Sequence, residues 1–477
     1  AGGDTASLAN ELAAYRFTSL GAAIEQATLP EYRSFGSGDS GAVRLVRPGD
    51  RLLAHRLLVE RETLALDTAN FAIERGRALG FTAATALGAV SFRYGWTPQP
   101  YVIAVEARLE PLVGRGGRLL VGLGTGFRNA EGDSADNYRK YGVSVRRPRE
   151  APEVHGFGSV DPGELKEISG PLDWVAVKSK YFLGAVLSPD STRATLSGAV
   201  MQGMERRGRT AIAAETWVAI PVGPDGMARY QLYLGPIQQG TIRPLGRDLD
   251  RASPYGWIFR PLVMPVARWI TQLFLWMHEN LKLSFGAVLV IFGVLVRLVL
   301  WPLNQRAMKS QVAMMAVQPI LQDIQKRYKN DPQRLQQEMM KVYREHKVNP
   351  FGGCLPLLLP FPVLLALFFV FSNAIELRGT PFLWLPDLSL KDPYYIIPLV
   401  MGVSMYALSK LSQTGMPPNP QAKMMTTVMP IMMTVLFANF ASGVNLYYAV
   451  SNIVSLPQQW LINKARAAEM ARRQVSR

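Results

Sequence analysis

Apolar and polar positions follow two different rhythms along this 477-residue chain. Before about residue 255, charged residues recur every few positions and no apolar run approaches the length of a membrane span. Segments 51–60, 101–110, 118–123, 174–187, 216–222 and 229–234 are rich in β-branched, aromatic and aliphatic side chains, the composition of half-buried strands. Turn signals separate them, among them Gly114-Arg115-Gly116-Gly117 and Gly223-Pro224-Asp225-Gly226. This part predicts an antiparallel β-sandwich. The run Gly122-Leu123-Gly124-Thr125-Gly126 lacks the third-glycine spacing and the following helix of a nucleotide loop, so it predicts a turn.

The rhythm changes after that. Between Pro261 and Asn280, Leu262, Val266, Trp269, Ile270, Leu273 and Trp276 recur at helical spacing, with Arg268, Gln272 and Glu279 on other faces. That pattern predicts an amphipathic helix in the membrane interface, where tryptophan is favoured, or else a helix laid on the β domain. Five apolar segments follow at 283–303, 352–374, 394–411, 424–440 and 444–462, each 17 to 23 residues long. As helices they measure roughly 25 to 35 Å, close to the ~30 Å of a bilayer's hydrocarbon. The organisation expected is a β-sandwich domain over 1–255, an interfacial helix over 256–281, a five-span α-helical core over 282–463 that includes a hairpin at 304–349, and a basic tail over 464–477.

Charge orients this arrangement. The formal net charge is +16, and the connection 304–349 carries Arg306, Lys309, Lys326, Arg327, Lys329, Arg334, Lys341, Arg344 and Lys347 against Asp323, Asp331, Glu338 and Glu345. Lys410, Lys423 and the tail add basic residues on the same side, while 375–393 holds Glu376, Asp387 and Asp392 against Arg378 and Lys391. By the positive-inside rule the hairpin and tail are cytoplasmic and the β domain is outside. An outside domain has to be led across, so a signal-like or anchoring helix ahead of Ala1, a sixth in all, is expected.

Candidate chemistry is sparse. Arg297 lies two-thirds of the way along the first span, between Val294-Leu295-Val296 and Leu298-Val299, and no Asp or Glu falls inside the other four spans. At mid-bilayer such a charge costs roughly 2.5–3.5 kcal/mol, which favours a wet cavity over snorkelling to the headgroups. In the last span Tyr448, Asn452, Ser455 and Gln459 form one polar stripe, which either faces that cavity or hydrogen-bonds to other helices. Asn330-Asp331-Pro332 punctuates the hairpin with a cap and a proline at the first helical turn. Its methionines, Met308, Met314, Met315, Met339 and Met340, either offer an adaptable partner-binding surface or fill the seam between its helices. The basic hairpin and tail suit anionic lipid, and the tail also ribosomal RNA.

His278-Glu279-Asn280-Leu281-Lys282 lacks the second histidine of a zinc protease, and neither a Walker-type loop nor a serine-protease elbow occurs. Cys354 is the one cysteine and there are four histidines, so no disulfide, metal or other cofactor is expected, and no catalysed reaction. An anion transporter built around Arg297 would need a use for the hairpin and commonly shows repeated halves, of which this chain has no sign. A scaffold for membrane-complex assembly shares most of these features.

Several runs together carry a resemblance: Val296-Arg297-Leu298 and Trp301-Pro302-Leu303; Val348-Asn349-Pro350-Phe351-Gly352-Gly353-Cys354-Leu355-Pro356; Glu376-Leu377-Arg378; Asp392-Pro393-Tyr394-Tyr395; and Asn445-Leu446-Tyr447-Tyr448-Ala449-Val450-Ser451-Asn452. In this order and spacing they resemble the YidC family. Trp174-Val175-Ala176, Lys180-Tyr181-Phe182 and Tyr255-Gly256-Trp257 are similar to its large periplasmic domain. The resemblance implies a nucleotide-independent membrane protein insertase with a hydrophilic groove open to cytoplasm and lipid. Arg297 would be its groove arginine, Gly293 would stand at a position often hydroxylated in relatives, and Phe361, Pro362, Leu436 and Tyr448 would contact the departing apolar segment. Implied partners are newly made membrane proteins, the Sec translocon, ribosomes and signal-recognition components.

Overall fold

The computed structural model describes residues 3–39, 41–59, 62–85, 88–189, 195–253, 260–346, 348, 361–414 and 424–475, without the side chains of 260–262, 304, 306–316, 318–319, 425 and 465–475. The chain folds as two compact units, Ala1–Pro254 and Tyr255–Arg477.

The first unit is built from antiparallel sheets of nine, six and four strands. Its strands obey the period of two: in Val102–Leu109, Val105, Ala107 and Leu109 are buried while Glu106 and Arg108 point outward. Two residues of the neighbouring strand Gly88–Trp96 show how the sheets meet. Phe92 stacks on His55 of the six-stranded sheet at 4.1 Å, and Tyr94 packs on Phe17 of the four-stranded sheet at 4.6 Å. Both smaller sheets therefore lie on one face of the large one. Tyrosine hydroxyls buried in these contacts are partnered: Tyr94 donates to the Ala22 carbonyl at 2.8 Å and Tyr15 to that of Leu234.

The expected strand over 174–187 is two strands, Trp174–Lys178 and Phe182–Leu187, folded back with Lys178 opposite Leu183. Every side chain in both is buried, so they read as one apolar run, and the turn between them uses Ser179 instead of glycine or proline. The Ser179 hydroxyl accepts from the Phe182 amide at 3.1 Å. The glycine run after residue 122 is a turn as expected: Gly124 and Gly126 have positive φ, and Asp50 accepts from the Thr125 amide and hydroxyl at 2.7 and 2.8 Å. Two short helices, α1 (Ser134–Arg139) and α2 (Gln239–Ile242), complete the unit's α content among the described residues.

The second unit is helical: α3 (Arg260–Leu281), α4 (Phe285–Arg327), α5 (Pro332–Glu345), α6 (Phe361–Asn373), α7 (Ile396–Ser412), α8 (Met429–Phe437) and α9 (Ser442–Val475), with a π turn at Met424–Val428 ahead of α8. Within α4, Phe285–Leu303 is long and apolar enough to cross a membrane; Phe361–Asn373, Ile396–Ser412 and Thr426–Phe437 are shorter apolar helices. Among the described residues one helical segment is thus both long and apolar enough to span, where five spans were expected. Residues 352–360 of the expected second span lie outside the described residues, as do Trp257 and the 349–356 run.

Helix α3 carries two adjacent apolar rows with the same four-three spacing, and the structure buries Val263, Ala267, Ile270, Phe274 and Met277 against α6 and α4. Phe274 meets Phe292 edge-on at 5.1 Å. Trp269 and Trp276, expected on the same face as Ile270, stand outward instead, Trp269 with 59% of its surface exposed. Residues 374–395 fold over one end of the bundle: Leu377, Leu385 and Leu388 are buried, and Phe382 sits where a side chain on Gly286 would be. Asp392, fully buried, accepts from the Tyr394 and Ile397 amides at 3.0 and 2.7 Å and so caps the start of α7. The first amides of α9, at Ser442 and Gly443, donate to the Leu390 and Leu388 carbonyls of the same loop.

His55 gives the β unit a measurable signature. It is fully buried, its Nε2 lies 2.9 Å from the Tyr230 hydroxyl, and burial pushes its pKa from 6.5 to about 3. Below the unfolded value of 6.5 the unfolded chain binds this proton and the folded chain does not, so stability is full above 6.5 and is lost as pH falls toward about 3. Denaturant midpoints across that interval should fall more steeply for the parent than for His55→Gln, which keeps hydrogen-bonding capacity and does not titrate. Parallel pH profiles would contradict this assignment.

Candidate functional site

The first candidate residue, Arg297, stands in the membrane-length part of α4. Its neighbours Leu295, Leu298 and Val299 face outward, Val299 with 74% of its surface exposed, and rows of this kind are costly in water. Arg297 itself is half-buried and turns toward α9, where its Nε donates to the Ser451 hydroxyl at 2.8 Å. Tyr447 and Tyr448 are its electrostatic neighbours. Among the described residues no carboxylate lies within ion-pair distance of it; on the polar part of α4, Arg327 pairs with Asp323 at 3.0 Å.

One turn before the arginine, Gly293 is buried against α9. A Cβ there would stand 3.1 Å from Val450 Cγ1 and 3.7 Å from Tyr447 Cδ2, so the missing side chain is what lets the two helices approach. Phe292 and Tyr447 continue the contact, with ring centroids 5.8 Å apart. Tyr448 is half-buried and stacks on Phe437 at 6.1 Å.

The rest of the polar stripe is engaged in helix contacts. Asn452 Nδ2 reaches Ser404 Oγ on α7 at 3.4 Å, the Ser455 hydroxyl donates to the Ser451 carbonyl at 2.7 Å, and Gln459 donates to Asn463 at 3.2 Å. All three are buried. The structure therefore brings Arg297 to Ser451, with Gly293 packed beside them on Val450 and Tyr447, and buries Asn452, Ser455 and Gln459 on α9, Asn452 bonding across to α7. Ser451 was absent from the sequence candidates, although it lies four residues after Tyr447 and four before Ser455, on the same side of α9.

Phe361 at the start of α6 and Leu436 on α8 are exposed, and Pro362 is half-buried. In the α4–α5 pair, Met339 packs on Val317, Leu321, Val342 and Val348, while Met340 is exposed. The side chains of Met308, Met314 and Met315 lie outside the described residues. Asp331 caps α5, accepting from the Arg334 amide at 3.0 Å. Among the described residues no group of three or more His, Cys, Asp or Glu side chains is placed to hold a metal ion.

Two family models match the chain: the 60Kd inner membrane protein over residues 276–469 and the YidC periplasmic domain over residues 128–277. A membrane protein insertase YidC of Nitratidesulfovibrio vulgaris is 35% identical over 381 residues, which cover 76% of this chain and 67% of that protein. The chain belongs to the YidC family. A relative of the same name from Chlorobaculum parvum is 37% identical over 319 residues, 62% of this chain and 52% of its own length. The chain thus spans about half the length of several YidC relatives it matches. The crystal structure of an active YidC insertase with its first transmembrane domain resolved aligns over 96% of this chain and 92% of its own, with TM-score 0.39 and 17% identity. Insertase is a non-enzymatic function, and the family places the chain among bacterial inner membrane proteins with a periplasmic domain.

The α4–α9 contact yields a packing prediction. Gly293→Val forces a branched side chain into a space where Cβ alone is tight, so it should destabilise the helical unit by about 1–3 kcal/mol. A lower midpoint in a detergent-denaturation series, with Gly293→Ala losing less, is the expected result; an unchanged midpoint for Gly293→Val would mean that the helices are not in close contact there.

Proposed function

We propose that this chain inserts newly made membrane proteins, holding the polar segment of each in a cytoplasm-open groove at Arg297 while the apolar segment passes into lipid. The observation that carries this reading is a guanidinium in a membrane-length helix with a neutral hydroxyl for its partner and, among the described residues, no carboxylate beside it. A structural arginine in an apolar bundle is normally neutralised; one held by serine keeps its charge available. Support also comes from the folded 374–395 loop, which suits a groove shut at the periplasmic end, and from the exposed apolar residues Leu399, Val403, Ile431 and Val435, which suit lipid-facing helices.

In this reading five segments span the inner membrane, the β domain is periplasmic, and the α4–α5 hairpin and C-terminus are cytoplasmic. Phe361, Pro362, Leu436 and Tyr448 line the exit of the apolar segment, and Gly293, Asn452 and Ser455 belong to the groove wall. The hairpin, with Met308, Met314, Met315, Met339 and Met340, recruits partners: ribosomes, signal-recognition components, the Sec translocon and anionic lipid. Insertion needs no nucleotide. A wet, charged notch shortens the hydrocarbon that a hydrophilic tail must cross, and partitioning of the substrate's own helix supplies the driving force.

Liposomes holding the purified protein test the reading with a short single-span substrate. Arg297→Ala should slow insertion by roughly tenfold or more, equivalent to about 1.4 kcal/mol or above, whereas Arg297→Lys retains most of it. Equal insertion by the parent and Arg297→Ala would remove the arginine from the mechanism, and no insertion by the parent would point to an assembly scaffold.

A further inference from the structure

Arginine has five N–H donors and a long flexible stem, so a groove that depends on its charge has to fix where that charge points. In this chain the fixing contact is specific. The Nε–H of Arg297 donates to the Ser451 hydroxyl at 2.8 Å, and among the described residues this is the hydrogen bond of the guanidinium. Nε is the inner nitrogen. Its engagement sets the plane of the group and leaves the two terminal nitrogens to face elsewhere.

Ser451 is itself held. Its side chain is almost wholly buried, at 1% exposure, and its carbonyl accepts the Ser455 hydroxyl at 2.7 Å one turn on. The glycine at 293 brings α9 close enough to α4 for so short a side chain to reach the arginine. A serine at this place can accept from Nε without bringing a negative charge, whereas a carboxylate would satisfy the guanidinium by neutralising it.

We propose that Ser451 is a positioning residue for Arg297: it holds Nε so that the terminal nitrogens remain directed at the polar segment of an incoming protein. The inference rests on the reading of Arg297 as the groove cation and names the side chain that orients it. Substrate recognition then follows from chemistry: backbone carbonyls and carboxylates of a hydrophilic tail accept from the two terminal NH2 groups, while Ser451 never touches the substrate.

The test is a set of insertion rates in liposomes holding the full chain, for the parent, Ser451→Ala, Ser451→Thr, Arg297→Lys, Arg297→Ala and the double variant Ser451→Ala with Arg297→Lys. Detergent melting of each variant reports folding separately. Ser451→Ala, which keeps the charge, should lose roughly fivefold in rate, less than Arg297→Ala, with its melting midpoint kept, and Ser451→Thr, which retains the hydroxyl, should stay within about twofold. Lysine has no Nε–H of this kind, so adding Ser451→Ala to Arg297→Lys should cost nothing further. An equal loss in both backgrounds would make Ser451 a structural residue, and a Ser451→Ala rate within twofold of the parent would dismiss it altogether. Should Arg297→Lys insert too slowly to measure, the comparison of threonine with alanine decides, and equal losses for the two overturn the proposal. If Arg297→Ala is as fast as the parent, the groove reading fails on its own account, a result distinct from a slow Arg297→Ala paired with a fast Ser451→Ala.

Discussion

The guanidinium of Arg297 sits in a segment, Phe285–Leu303, whose other side chains are apolar, and keeping it solvated without neutralising it is the constraint on which the helical unit turns. Full transfer of an unpaired ion into hydrocarbon costs many kcal/mol, so the group needs water, a dipole or a counter-charge. Ser451 contributes a dipole. Gly293 makes that contact reachable by removing the side chain that would hold α4 and α9 apart. The Phe292–Tyr447 and Phe437–Tyr448 ring contacts fill the space on either side with aromatic surface, whose hydroxyls border the charge. A charge tolerated in this way is a candidate for work on a substrate, since among the described residues no carboxylate cancels it.

The same unit shows how its other polar groups are satisfied. Asn452 meets Ser404 across α9 and α7, Ser455 bonds back along its own helix, and Asp392 is spent on two amides at the head of α7. Backbone groups follow the same rule, with the loop 374–395 supplying carbonyls for the first amides of α9. Each satisfied group makes the unit tighter, and the contrast with Arg297 is what singles the arginine out.

Much of this was legible in the chain. Period-two segments announced a β unit, and the position of Arg297 among leucines and valines announced a charge in the wrong place. The turn after Lys178 was hidden because strands buried on all sides read as one apolar run. The orientation of α3 was hidden because two neighbouring rows share one spacing, and only packing against α6 and α4 chooses Ile270 and Phe274 over Trp269 and Trp276. Ser451 was overlooked for a related reason. The stripe through Tyr448 and Asn452 is visible in sequence, but which side of it meets another helix depends on the crossing of α4 with α9, and that crossing is decided by a glycine 158 residues away.

Hydration at position 297 is the property on which the account stands, and it can be read with a thiol. Cys354 is the chain's one cysteine, so Cys354→Ser leaves a background in which Arg297→Cys is the sole target. A maleimide that cannot cross membranes reacts with thiolate, which forms where water reaches the sulfur. In sealed vesicles exposing the hairpin side, the account predicts labelling at a rate approaching that of a cysteine placed on the exposed Met340, and little labelling from the opposite side. A thiol that stays unreactive from both sides until detergent is added would place the arginine in a dry bundle and contradict the groove.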